Sequence, residues 1–97
     1  MKVKLKVRLN KELSEICDKV KILISQYASD DMISIETKVV DKKLFIEHFI
    51  FGELVCTVIQ TSPFDKKEIH FTDSLDDFRI EDWVYENFEG GYEYVKQ

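Results

Sequence analysis

The first nine residues alternate between apolar and basic side chains without interruption. The apolar positions are Val3, Leu5, Val7 and Leu9, and the basic positions are Lys2, Lys4, Lys6 and Arg8. Successive side chains of a β-strand point to opposite faces of a sheet, so this pattern predicts a strand with one buried face. A lysine-rich outer face is typical of strands that protect a sheet edge from aggregation. We therefore expect this strand at an edge.

The next apolar residues recur at intervals of three and four, which is the spacing of one helix face. They are Leu13, Ile16, Cys17, Val20, Leu23, Ile24 and Tyr27. Asn10 precedes them and is a residue type favoured at a helix N-cap. The spacing predicts a helix of about 18 residues.

Four alternating or β-branched runs follow, at residues 32–40, 44–51, 54–61 and 68–72. Residues 41–43 and Gly52–Glu53 separate the first three runs and predict tight turns. The run at 44–51 has apolar side chains on both faces. Such a strand is central in its sheet, or has one face covered by another subunit.

Helical spacing returns at Ile80 and predicts that Ile80, Trp83, Val84 and Phe88 point inward. Two glycines then end the helix, and residues 92–95 form a last short strand. This order predicts one α+β domain over residues 1–97. We expect a two-layer sandwich of two helices on an antiparallel sheet of about five or six strands, loosely ferredoxin-like with an enlarged hairpin region. The last strand would lie beside the first, with Glu93 facing Lys4 or Lys6.

The net charge of −5 conceals an asymmetry, because residues 1–43 sum to +3 and residues 44–97 to −8. An acidic pole disfavours direct binding to nucleic acid. No apolar run approaches the roughly 20 residues that span a membrane, so we expect a soluble cytoplasmic protein. Cys17 and Cys56 fall at apolar positions, as buried thiols of a reducing compartment do. An excess of residue types with AT-rich codons suggests a low-GC bacterium or its phages.

The chain carries no recognisable catalytic or cofactor motif. Its imidazoles and thiols are His48, His70, Cys17 and Cys56, and their spacing matches no zinc motif. Three glycines are too few for a phosphate-binding loop. We expect neither an enzyme nor a metal or cofactor site, and we interpret His48 as a hydrogen-bonded core histidine.

Between Asp73 and Glu93 the chain places eight carboxylates against one cation, Arg79. Three of them, Asp82, Glu86 and Glu89, follow intervals of four and three, which aligns them on one helix face about 5–6 Å apart. Successive phosphates of a nucleic-acid strand are separated by a similar distance. The ordinary interpretation of such a stripe is a solvated helix face.

The functional hypothesis is that this stripe mimics a nucleic-acid backbone. The partner-binding residues would be Glu81, Asp82, Tyr85, Glu86 and Glu89, with Tyr85 as the aromatic anchor. Their target would be the basic nucleic-acid groove of a protein such as a nuclease or CRISPR effector. The protein would then be an inhibitor: a phage counter-defence protein of the anti-CRISPR type, or a nuclease immunity protein.

Two alternatives belong to other classes. The first is a homodimeric structural or adaptor module that associates through Phe45, Phe49 and Phe51. The second is an enzyme or small-ligand binder with a deep pocket containing His48 or His70. The sequence leaves open whether the basic first strand neutralises the acidic C-terminal region within the fold.

Overall fold

The computed structural model describes residues 3–61, 66–75 and 80–95. Six strands and two α-helices make up these segments. The strands are β1 (Val3–Leu9), β2 (Ile33–Val40), β3 (Lys43–Ile50), β4 (Glu53–Gln60), β5 (Lys67–Thr72) and β6 (Tyr92–Val95). The helices are α1 (Leu13–Ile24), between β1 and β2, and α2 (Ile80–Phe88), between β5 and β6. Short 3₁₀ turns at Asp30–Met32 and Asp73–Leu75 precede β2 and follow β5.

The strands form one antiparallel sheet in the order β2-β3-β4-β5-β1-β6. Strands β2 to β5 are a continuous meander, which is the enlarged hairpin region that the sequence predicts. The predicted class, an α+β sandwich with two helices, is confirmed. The expected edge position of the first strand is wrong, because β1 lies between β5 and β6 and its lysines protect no edge.

The last strand lies beside the first, as the sequence predicts, but in a different register. Glu93 is opposite Arg8, and Val95 is opposite Lys6. The predicted pairing of Glu93 with Lys4 or Lys6 is therefore wrong. The register between β1 and β6 depends on the position at which the chain enters the sheet after α2. The alternating pattern of β1 does not contain that information.

Two-residue turns join the hairpins of the meander. Asp41 and Lys42 connect β2 to β3 with φ of 51° and 67°, and Phe51 and Gly52 connect β3 to β4 with φ of 52° and 77°. Positive φ at both central residues is the type I′ geometry, whose twist matches that of paired strands. The sequence located both turns to within a residue.

Helix α1 is shorter than predicted. It has 12 residues, its N-cap position is Glu12 rather than Asn10, and the Glu12 side chain makes no capping hydrogen bond. At the other end the backbone continues as a tighter turn, since Gln26 N–H donates to Leu23 O at 3.1 Å and Tyr27 N–H to Ile24 O at 2.9 Å. The apolar spacing extended across this turn and so overestimated the helix.

Both helices cover the same face of the sheet, and the core lies between the two layers. Its strand members include Val7, Ile69 and Val58, which are opposite one another in neighbouring strands and fully buried. The predicted inward residues of α2 are all buried: Ile80, Trp83, Val84 and Phe88. No described helix covers the other face of the sheet, which we call the open face; it carries Arg8, Glu68 and His70.

Trp83 is the centre of the contact between α2 and the sheet. Its ring meets Phe71 of β5 edge-to-face at a centroid distance of 5.9 Å and Phe88 of its own helix at 5.5 Å. Such aromatic pairs stabilise a core beyond the apolar area that they bury. This packing fixes the orientation of α2, and therefore fixes which of its side chains face solvent.

Candidate functional site

The outward surface of α2 is acidic and exposed. We call it the acidic face and define it by the sequence-predicted residues Glu81, Asp82, Tyr85, Glu86 and Glu89. All five are exposed, and the ring of Tyr85, 64% exposed, lies among the carboxylates. Glu89 follows the last helical residue, and its N–H donates to Tyr85 O at 3.3 Å, so it continues the same turn.

Strand β6 fastens the N-terminal end of this helix to the sheet. The hydroxyl of Tyr94 donates to the backbone carbonyl of Glu81 at 3.2 Å. Burial raises the pKa of Tyr94 to about 12, and the neighbouring Tyr92, Glu81 and Asp82 act in the same direction. The phenol thus stays protonated and able to donate at physiological pH.

Lys6 and Arg8 are the described basic side chains of β1, and they lie on the open face of the sheet, away from the helices. Arg8 Nε donates to Glu68 Oε2 at 3.0 Å, and Lys66 Nζ lies 3.4 Å from Glu93 Oε2. Within the described segments no cation lies within ion-pair distance of Glu81, Glu86 or Glu89. The described part of β1 therefore does not neutralise the acidic face. Lys2, the side chain of Lys4, and Arg79 lie outside the described residues.

His48 lies in the core on β3, with 1% of its surface exposed. The predicted core position is confirmed; Nδ1 of the ring has no hydrogen-bond partner among the described residues. Burial lowers the pKa of His48, with a further lowering by Lys21; backbone groups of Cys56 and Ile46 act in the opposite direction. The imidazole is therefore held neutral.

We expect the stability of the fold to fall as the pH drops below about 6.5, the ordinary pKa of histidine. The unfolded chain then takes up a proton on His48 that the folded chain excludes, so the free energy of unfolding decreases until the depressed folded pKa is reached. Urea denaturation between pH 7.5 and 5 measures this slope, and His48→Gln should reduce it. An unchanged slope in His48→Gln, with the slope lost instead in His70→Gln, would contradict this assignment.

The two cysteines are free thiols, fully buried at Cys56 and partly buried at Cys17. Burial raises the pKa of both thiols, so neither is activated as a nucleophile. Across residues 3–61, 66–75 and 80–95, no group of three His, Cys, Asp or Glu side chains is arranged to hold a metal ion.

The open face carries an ion-pair network that the sequence did not indicate. Glu68 accepts from Arg8 and also contacts His70 Nε2 at 3.0 Å. Partial burial raises the pKa of Glu68, but the hydrogen bonds with His70 and Arg8 outweigh it and hold that pKa below its usual value. Arg8 is 60 residues away in the chain, so no local pattern could reveal this contact.

A shallow cavity of about 220 Å³ adjoins the network, lined by His70 and apolar side chains that include Phe45, Leu54 and Ile59. Ligand pockets usually range from about 300 to 1,000 Å³. The cavity is therefore small for a ligand site, and His48 does not line it. Of the two histidines named in the enzyme or small-ligand hypothesis, only His70 lines this cavity.

The three phenylalanines of the homodimer hypothesis do not share one environment. Phe45 and Phe49 are half-buried on β3, and Lys38 Nζ lies 5.9 Å from the ring centroid of Phe45. Phe51 is 75% exposed and lies in the turn after β3. β3 lies between β2 and β4, but this position does not cover the open face, on which Phe45 lies with His70.

None of the described helices combines the length and the apolar character needed to cross a membrane. Comparison of the chain with protein-family models, with curated proteins and with solved structures found no match.

Proposed function

We propose that this protein is a small inhibitor whose acidic face occupies the basic nucleic-acid groove of a target protein. The observation that carries the proposal is the acidic face itself: exposed carboxylates around an exposed tyrosine, on a helix whose other side is locked into the core. A solvated helix surface does not require an aromatic ring 64% exposed among its charges.

The contacts that hold α2 against the sheet favour recognition by a rigid partner surface. Trp83 and Phe88 pack in the core, and Tyr94 of β6 donates a hydrogen bond to the backbone carbonyl of Glu81. A helix fixed in this way presents its carboxylates with little loss of freedom on binding. The intervals of four and three then set a carboxylate spacing comparable to that of backbone phosphates.

Charge supports the same partner class. Like charges at helical spacing cost a few tenths of a kcal/mol, and in the described segments no cation offsets Glu86 and Glu89. A basic groove would remove this repulsion and would steer the association from a distance. Targets of this chemistry include nucleases and CRISPR effectors. The biological roles that fit are phage counter-defence of the anti-CRISPR type and nuclease immunity, both in the cytoplasm.

The test is a capture experiment with the tagged protein against a panel of nucleases and CRISPR effectors at low and high salt. We expect capture of a nucleic-acid enzyme at low salt, released as salt rises because the contact is between charges. Capture that is indifferent to salt, or no capture from the panel, would refute the proposal.

A further inference from the structure

The two edges of the sheet differ. Strand β6 has four residues, whereas β2 has eight and pairs with β3 without a bulge. Seven of the eight residues of β2 are exposed, including Ile35 at 41%, Val39 at 70% and Val40 at 47%. A long, regular edge strand with exposed apolar side chains is a template for pairing with another strand. Proteins usually blunt such an edge with proline, a bulge or charged side chains. β2 has no proline and no bulge, and its two charges, Glu36 and Lys38, are of opposite sign.

The hairpin geometry shows which backbone groups of β2 are free. Val40 and Lys43 flank a two-residue type I′ turn, and this flanking pair exchanges both of its backbone hydrogen bonds. Bonding then alternates along the strand, so the even-numbered residues of β2 bond to β3. Before the start of β2, Phe51 N–H donates to Met32 O at 2.9 Å, which agrees with bonding of the even-numbered residues to β3. Ile35, Thr37 and Val39 therefore direct their N–H and C=O groups to the open edge.

We propose that a second copy of this chain pairs with the free edge of β2 in antiparallel orientation, centred on Thr37. In this arrangement Thr37 faces Thr37 of the second copy, Ile35 faces Val39, and Glu36 faces Lys38. The free N–H and C=O groups of Ile35, Thr37 and Val39 then lie opposite the same groups of the second copy. A two-fold axis passes through the centre of this interface, and the strand pairing joins the two six-stranded sheets into one.

The sequence of β2 selects this register. If the second strand shifts by two residues in one direction, Glu36 lies opposite Glu36 of the second copy. If it shifts by two residues in the other direction, Lys38 lies opposite Lys38. Only the centred register between them pairs both charges with their opposites, and it does so twice by symmetry. Glu36 and Lys38 lie in a position without backbone bonding across the interface, where facing side chains are closest.

Charges within one copy fit this arrangement. Glu36 is opposite Glu47 of β3, and Lys38 Nζ lies 3.4 Å from Glu47 Oε1. Lys38 of the second copy would add a cation beside the two carboxylates. The side chains of Ile35 and Val39, which the helix layer leaves exposed, would gain apolar neighbours across the axis.

Sedimentation velocity over a range from micromolar to millimolar protein tests the pairing without any target protein. We expect a concentration-dependent species of twice the 11.5 kDa chain mass. Glu36→Lys should weaken the dimer by about tenfold, because two attractive cross-strand pairs become repulsive. Fold stability should not suffer, since the new lysine faces Glu47. The exchanged variant Glu36→Lys/Lys38→Glu should recover the dimer.

A second variant tests the backbone. Thr37→Pro removes an N–H that points away from β3 and should abolish the dimer while circular dichroism reports an intact fold. Amide exchange should also slow at Ile35, Thr37 and Val39 as protein concentration rises. A chain that stays monomeric at millimolar concentration would overturn the proposal. So would a dimer that neither Glu36→Lys nor Thr37→Pro weakens.

Discussion

Replacing Trp83 by alanine is expected to lower the free energy of unfolding by about 3 kcal/mol, the usual scale for removing a large buried aromatic. The indole is 8% exposed and contacts the rings of Phe71 and Phe88 at 5.9 and 5.5 Å between centroids. Its removal leaves a cavity between α2 and the sheet and deletes both edge-to-face contacts. For a domain of this size the melting temperature should fall by about 15 °C. Thermal and urea denaturation measure both quantities.

Tyr85→Ala is the matched control, because it removes another aromatic ring two residues away on the same helix. Tyr85 is 64% exposed, so its loss should change the free energy of unfolding by less than about 0.5 kcal/mol. Trp83→Phe should recover part of the stability by keeping a ring in the core. Equal destabilisation by Trp83→Ala and Tyr85→Ala would show that α2 is not oriented as the structure has it.

The largest effect on binding is expected from reversing three charges of the acidic face. Asp82→Lys/Glu86→Lys/Glu89→Lys moves the formal net charge from −5 to +1 and turns attraction to a basic groove into repulsion. We expect the affinity for the captured target to fall about 100-fold, since like charges brought together at an interface cost several kcal/mol. Isothermal titration calorimetry at fixed low salt measures the change.

A second triple variant separates local complementarity from net charge. Asp18→Lys/Asp30→Lys/Asp31→Lys gives the same net charge but alters exposed residues outside the acidic face. Its affinity should fall much less, through slower association at long range. If both triple variants weaken binding equally, overall charge alone drives the interaction and the acidic face has no special role.

The sequence predicted much of the fold because local periodicity and burial agree. The inward arc of α2, from Ile80 to Phe88, was read from spacing, and the same spacing assigned the outward residues of the acidic face. Turn chemistry located the type I′ turn at Asp41 and Lys42. Each of these features depends on residues close together in the chain.

Apart from the overestimated length of α1, which is a local error, the errors concern partners distant in sequence. The alternation of β1 is the same for an edge strand as for one between β5 and β6, so it did not locate the strand in the sheet. The contact of Arg8 with Glu68 spans 60 residues. The free edge of β2 became recognisable only when the strand order placed it at the end of the sheet.

The most direct measurement of the central claim is a competition between this protein and nucleic acid for the captured enzyme. Labelled nucleic acid is bound to the enzyme, and fluorescence anisotropy follows its release as the protein is added. We expect stoichiometric displacement by the parent protein and none by Asp82→Lys/Glu86→Lys/Glu89→Lys at the same concentration, since its affinity should be about 100-fold lower. A ternary complex, in which the enzyme holds this protein and the nucleic acid together, would contradict occupation of the groove.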